Sequence, residues 1–422
     1  MAMRQNSFAK RSSSIATKSM KISSIFQYAS QFSGIILRKK KRSFLADHLY
    51  RKKHLAESAQ QKLSEKERRE RNDAALKRAI GWLMYAQDTT EDGGFASYHL
   101  TKGWSKTYPE TTGYIIPTLI EFSRNNKVKQ LLERVEKAAD LLLDIQLSTG
   151  GWEGGRVGEG KPETGFNTAQ VMRGLIRLYQ LNKKNVYLEA SIKAADRLVE
   201  LQDEDGAWRK GAFMGRARVY DSYVDDVLLH LYRITGNDEY KTAAIKNLEW
   251  VLTQQKENGW FENCDNTDHK NHKPITHTIA YTIDGLLECG RILKEEKFVE
   301  AGTKAADGLL GRFEEYGYLF GRYDKDWYGS ENTVTTGNAQ LSSCWFDLYE
   351  RTRNDRYLKA ARSMVDQLVF MQDRSFKELW DTTGALSGSF PLWGRYEKFA
   401  FPNWATKYLA DALLLDQHFS KV

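Results

Sequence analysis

Two segments place Pro-Glu-Thr just ahead of an apolar, helix-patterned run: KTYPETTGYIIPTLIEF (Lys106 to Phe122) and GKPETGFNTAQVMRGLIRLY (Gly160 to Tyr179). Their Glu110 and Glu163 are a pair of carboxyls of the kind that serve as acid and base on a glycosidic bond. The same residues also suit a helix start, where a carboxylate stabilises the positive end of the dipole by about 0.3–1 kcal/mol. Asp221, Asp225 and Asp226 in VYDSYVDD carry the same double reading, and Asp225 and Asp226 also serve as caps or solvated groups. The run ENCDNTDHKNHKPITH holds Cys264, Asp265, Asp268, His269, His272 and His277. A divalent metal at Asp265, His269 and His272 has the donor types zinc takes. The run has no CxxC-like pair, so it reads as a polar, substrate-facing loop, and no cofactor is expected. No phosphate-cradling glycine loop and no nucleophile elbow occurs.

These residues need elements to hold them, and the chain supplies a repeat. KRAIGWLMYAQ ends at Gln87, KAADLLLDIQ at Gln146, KAADRLVELQ at Gln202, KNLEWVLTQQ at Gln255 and ARSMVDQLVFMQ at Gln372, with KAADGLLGRFEEYGY placing Arg312 in the remaining Gln slot. Successive slots are 59, 56, 53, 57 and 60 residues apart. Each unit reads as an apolar helix, a Gly-aromatic loop such as STGGW or EDGAW, and a second apolar helix with the 3.6-residue period. Turns such as KKNVY, GNDEY and RNDRY repeat the spacing in a second register. Six αα-hairpins over residues 73–422 predict an all-α fold, an (α/α)6 toroid; an open solenoid is the competitor. Closure gathers the second-helix N-termini at one mouth, where their free N–H groups and dipoles face a ligand. The second helices begin with PETTG, PETG, VYDSYVDD, PITHTIAY, TTGNAQLS and FPNWATKY, which is polar where a core would want none.

Composition sets the bounds. The 422 residues, 41% hydrophobic and 12% aromatic, can bury a large core. Of the +8 formal charge, residues 1–72 contribute 18 Lys+Arg against 5 Asp+Glu, which leaves 45 against 50 for residues 73–422. The basic excess belongs to an N-terminal extension and not to a folded face, which argues against nucleic acid. In that extension Ile22, Ile25, Phe26, Ala29, Phe32 and Ile36 recur at helical spacing before the basic runs Arg38–Arg42 and Arg51–Lys53. Such a segment suits an anionic membrane surface, a solvated tail or an organellar transit segment. Three scattered cysteines, Cys264, Cys289 and Cys344, give no disulfide framework and point to a reducing, cytoplasmic setting, peripheral to the membrane if the extension binds it.

KAADLLLDIQLSTGGW and KAADRLVELQDEDGAW resemble the QW repeat of terpenoid cyclases and prenyltransferase toroids. The resemblance implies the toroid; in YVDD, Tyr223 stands where the cyclase acid motif has its first Asp. TYPETTGYIIPTLIEF and RYEKFAFPNWATKYLADALLL resemble the C-terminal α/α domain of glucuronyl C5-epimerases and related toroid proteins of bacterial surface polysaccharides. That second resemblance implies a role for Tyr108 and an acidic polysaccharide or lipid-linked glycan as partner. On a uronate, the C5 proton is α to a carboxylate, so its removal needs a base and groups that neutralise the enediolate. Epimerisation adds an acid on the opposite face, and a lyase expels the C4 oxygen instead. For this chemistry Tyr108, Tyr220, Tyr223, His277, Tyr281 and Tyr396 are proton-transfer candidates beside Glu110 and Glu163. Arg216, Arg218, Arg322, Arg395 and Lys407 are carboxylate partners, Trp104, Trp152, Trp208 and Trp260 stacking platforms, and Asn167, Asn338 and Asn403 polar contacts. Taken singly, each Tyr or Trp also reads as core packing. The expectation is a C5-epimerase-like enzyme; the alternatives are a lyase or glycoside hydrolase on the same fold, a terpenoid cyclase or prenyltransferase, and a noncatalytic glycan-binding toroid.

Overall fold

The computed structural model describes residues 33, 39–58, 63–266, 273–330, 332–373 and 380–420. Two compact units are distinguished, 1–44 and Leu45–Val422. Helices α1 (Lys39–Lys53) and α2 (Leu55–Ser58) precede α3 (Glu65–Asp88), which runs unbroken across residue 72. Then come the pairs α4 (Pro109–Asn126) and α5 (Gln130–Asp144), α6 (Gly165–Asn182) and α7 (Asn185–Leu201), and α8 (Ser222–Thr235) and α9 (Asp238–Thr253). The order continues with α10 (Thr276–Leu293), α11 (Glu296–Tyr316), α12 (Thr335–Thr352), α13 (Asp355–Met371) and α14 (Asn403–Phe419).

Helix neighbours establish closure. α4 packs on α6, α6 on α8, α8 on α10, α10 on α12, α12 on α14, and α14 returns to α4. These are the second helices of the six units, and α3, α5, α7, α9, α11 and α13 surround them. The (α/α)6 toroid expected from the repeat is therefore observed. Ala138, Ala139, Ala194, Ala195, Ala305 and Ala306 of the KAAD segments are fully buried, so small side chains bring the outer helices close against the inner ones.

The repeated glutamine has a mechanical role. Gln146 Nε2 donates to Gly150 O in its own loop (2.8 Å) and to Ala190 O of the next outer helix (2.9 Å). Gln202 does the same to Gly206 O (2.9 Å) and Ala243 O (2.8 Å), and Gln255 to Gly259 O (3.3 Å) and Ala301 O (2.8 Å). Gln87 binds Gly93 O and Arg134 O, and Gln372 closes the circle onto Gly384 O (2.9 Å) and Ala75 O (3.0 Å). In the Arg312 unit, Gly317 O instead accepts from Gln367 of the next outer helix, α13. The loop glycine is required: at Gly150 φ is +103°, and an added Cβ would lie 2.4 Å from Lys193 O.

Short strands tie the lips together. β1 (Tyr98–His99) pairs antiparallel with β2 (Gly103–Trp104) and with β7 (Ala400–Phe401), in register Tyr98↔Trp104 and Tyr98↔Phe401. β3 (Arg322–Tyr323) pairs with β4 (Gly329–Ser330), and β5 (Thr333–Val334) with β6 (Ser389–Phe390). Residues 45–72 lie against the ring. Arg51 donates to Met371 O (2.8 Å) at the end of α13, and Arg68 grips Asp416 of α14 with two bonds of 2.8 and 3.0 Å. No described helix is long and apolar enough to cross a membrane. The apolar positions from Ile22 to Phe32 and Ile36 fall outside the described residues.

Candidate active site

At the mouth formed by inner-helix N-termini lies a cavity of about 330 Å³. Tyr108 and Glu110 reach it from the start of α4, Phe166 and Asn167 from α6, Arg218, Tyr220 and Asp221 from the turn before α8, and His277 and Tyr281 from α10. Trp404 of α14, Glu397, Arg156 and Trp208 complete the wall. The second-helix openings do converge, as closure requires.

Why Glu110 enters and Glu163 does not follows from a shared anchor. Thr112 Oγ1 accepts from Phe95 N and Thr168 Oγ1 from Trp152 N, each at 3.1 Å, so the two threonines occupy equivalent positions. Glu110 stands two residues before Thr112, inside the first turn; Glu163 stands five before Thr168, ahead of the helix. There Glu163 accepts from Arg197 Nε (2.8 Å) and Thr149 Oγ1 (2.6 Å), and it lies off the cavity wall. Thus the two PET motifs match in letters and differ in register.

The structure brings together Tyr108, Glu110, Asn167, Trp208, Arg218, Tyr220, His277 and Tyr281. It separates the rest. Tyr223 lies under the Arg173 guanidinium (3.9 Å to the ring centroid), beneath Tyr281. Tyr396 stands behind Trp404, whose indole donates to its hydroxyl (2.9 Å). Trp104 packs among Trp82, Tyr85 and Tyr98; Trp152 is fully buried with its N–H on Leu142 O (2.7 Å). Trp260 is likewise held, on Tyr323 O (3.2 Å). Arg322 pairs with Asp265 (3.1 Å), Asn403 donates to Phe95 O (3.0 Å), Asn338 is fully buried, and Arg395 and Arg216 are exposed. Tyr223, Tyr281 and Tyr408 form a layer of touching rings, with centroids 4.7 and 6.0 Å apart. Lys407 pairs with Asp411 (2.7 Å) and sits 3.8 Å from the Tyr408 ring centroid, on the side of this tyrosine layer away from the cavity. Among the described residues no group of three His, Cys, Asp or Glu is placed to hold a metal; Asp268, His269 and His272 lie outside them.

Three carboxyls on the wall, Glu110, Asp221 and Glu397, are raised by burial. Burial raises Glu110 to about 7 against the hydrogen bond from Tyr108, and raises Asp221 to about 8 against the opposing Arg218 charge. Asn167 Nδ2 donates to Tyr108 Oη (3.2 Å) and completes the chain Asn167–Tyr108–Glu110. Burial also raises Tyr108, Tyr220 and Tyr281, which stay neutral hydroxyls, and lowers His277 to about 4, which keeps it a neutral imidazole. Asp225 and Asp226 are engaged elsewhere, with Asn247 (2.7 Å) and Arg173 (2.7 Å). Arg156, Glu397 and Trp404 are wall residues that motif reading did not single out, and Asp221, read with the same double meaning as Asp225 and Asp226, is the one of those three on the wall. The available signal was the turn "RVYD", where Asp221 precedes the helix proper while Asp225 and Asp226 lie within it.

No family model matches the chain. Squalene–hopene cyclase of Zymomonas mobilis is 32% identical over 127 residues, 29% of this chain and 18% of the cyclase, so the match spans under a fifth of that relative. Among solved structures, an unsaturated glucuronyl hydrolase from Streptococcus agalactiae superposes with a TM-score of 0.61 at 15% identity, covering 84% of this chain and 92% of the other. An unsaturated glucuronyl hydrolase specific for heparin gives 0.65 at 15% identity, over 84% and 98%. An alpha-amylase from Clostridium perfringens gives 0.61 at 12%, over 81% and 97%. At such identities the likeness is one of fold.

Proposed function

We propose that this toroid is a glycoside hydrolase acting on an acidic, uronate-bearing glycan. The observation that carries the reading is the convergence of two carboxyls with raised pKa values, the half-buried Glu110 and the buried Asp221, in one cavity whose wall also bears Arg218 and Arg156. Asp221, near 8, is protonated at neutral pH and donates to the departing glycosidic oxygen. Glu110, near 7, ionises in the same range and takes the proton of the attacking water, so that one proton enters and one leaves. Arg218 and Arg156 meet the substrate carboxylate, and the Phe166 and Trp404 rings offer apolar faces to the sugar. The hydrolases that share the ring support the same substrate class. They favour hydrolysis over the C5 epimerisation expected from the sequence, and the cavity offers that reaction a proton donor and a proton acceptor.

The test is incubation of the full chain with unsaturated uronyl disaccharides and saturated uronate oligosaccharides in D2O. Loss of the conjugated absorbance, or new reducing ends, slowed about 100-fold in E110Q and D221N, is the expected result. Deuterium appearing at C5 without cleavage would restore the epimerase reading, and no change in any substrate would overturn both.

A further inference from the structure

His277 projects from the first turn of α10 into the cavity, and its ring is fastened from behind: Nδ1 lies 2.6 Å from Gln340 Oε1 on α12. Both residues are more than nine-tenths buried, and Gln340 also lines the opposite side of the tyrosine layer. A bond that short joins a donor to an acceptor. A neutral imidazole has one of each, and with the Gln340 amide oriented so that Oε1 faces the ring, an oxygen that only accepts, Nδ1 carries the hydrogen. The lone pair is then on Nε2, at the other edge of the ring, and His277 is one of the cavity's lining residues.

We propose that Gln340 is a positioning residue that fixes His277 in the Nδ1–H tautomer, and that His277 Nε2 is the acceptor for a hydroxyl in the cavity, either a sugar hydroxyl or the attacking water. The assignment rests on the hydrolase reading for the identity of that hydroxyl, but the tautomer stands apart from it. Tyr281 on the same helix, Tyr396 from the loop before α14 and Tyr408 on α14 are the titratable groups whose rings surround His277, at 4.5, 5.7 and 6.5 Å. All three are raised by burial and remain uncharged through neutral pH, so none competes with Gln340 for control of the imidazole. Glu110, Asp221 and Glu397 are raised carboxyls on the same cavity wall.

The experiment is long-range proton–nitrogen correlation on the full chain with labelled histidine, His277 being assigned by its loss in H277N. A neutral His277 with protonated Nδ1 in the wild type, and a shift to the Nε2–H form or to an averaged signal in Q340L, is the expected result. An Nε2–H tautomer in the wild type, or an unchanged tautomer in Q340L, overturns the proposal. Circular dichroism confirms that Q340L is folded; if it is not, Q340E decides, because a carboxylate at that place favours the imidazolium and must raise the pH at which His277 titrates. With turnover established, Q340L lowers kcat about 100-fold with KM within about two-fold, and Q340E steepens the acidic limb that Glu110 sets, because His277 now protonates nearer to neutrality. Equal effects on kcat and on thermal stability with an unmoved profile reduce Gln340 to a packing role. If no uronyl substrate turns over, the tautomer measurement still decides this inference, and only the hydrolase reading fails.

Discussion

A carboxyl that ionises near neutrality leaves one trace in rate and another in stability. With Glu110 near 7 as base and Asp221 near 8 as acid, kcat/KM should rise through the first value, fall through the second, and peak narrowly between them. D221N should lower kcat by about 100-fold and erase the alkaline limb, which a rate profile from about pH 5 to 10 will read. For stability, the Glu110 pKa is raised on folding, so its favourable contribution is present below its ordinary value of 4.5 and is lost as pH rises through 7. E110Q carries no such charge and should gain thermal midpoint over the wild type at about pH 8 while gaining little at about pH 4. Glu163 reads identically in sequence, yet E163Q should weaken only its tie to Arg197, with kcat unchanged. The letters PET could not separate the two glutamates, because register against Thr112 and Thr168 decides which one enters the mouth. Likewise Tyr223 and Lys407 were legible as polar residues on inner helices, but a helix turns 100° per residue, and both face the other side of the tyrosine layer.

At the scale of the element, the glutamine spacing was the legible part, and the structure gives it a physical cause. Each Gln ends an outer helix and satisfies two carbonyls, one in its own loop and one in the following repeat. Q202L should leave the carbonyls of Gly206 and Ala243 without that donor and cost about 2–3 kcal/mol in urea unfolding. G150A should cost more than an ordinary Gly-to-Ala change, since φ of +103° and the close Lys193 carbonyl oppose any Cβ. Inner helices α4, α6, α10 and α12 end on Lys127, Lys183, Lys294 and Arg353 in the left-handed conformation, with φ of 56°, 60°, 59° and 55°, where α8 ends on Gly236. Replacing Lys183 by Gly should therefore stabilise by about 1 kcal/mol, a gain measurable in the same urea titration. The lip strands were not legible. Two-residue strands contain no period to recognise, and β1 finds β7 some three hundred residues later only because the ring closes.

For the whole molecule, the sequence placed a boundary at residue 72 because the charge balance changes there. Charge follows solvent exposure, and the arginines that matter are exceptions to it: Arg51 and Arg68 are buried against α13 and α14. R68A should strip Asp416 of its buried partner and cost about 3–5 kcal/mol, and a chain starting at residue 73 should melt earlier than one starting at 45.

Closure has one further consequence. Gln372 of the last repeat grips Ala75 of the first, and Arg69 of α3 donates to Ser420 O at the end of α14. The entrance and exit of the ring are thus side by side, and every repeat has two neighbours. A ring of that kind is indifferent to where its polypeptide is cut. Joining residue 420 to residue 64 through a short flexible linker and opening the chain between Lys183 and Lys184 should yield a circularly permuted protein with the same helical content, the same cavity and the same rate profile.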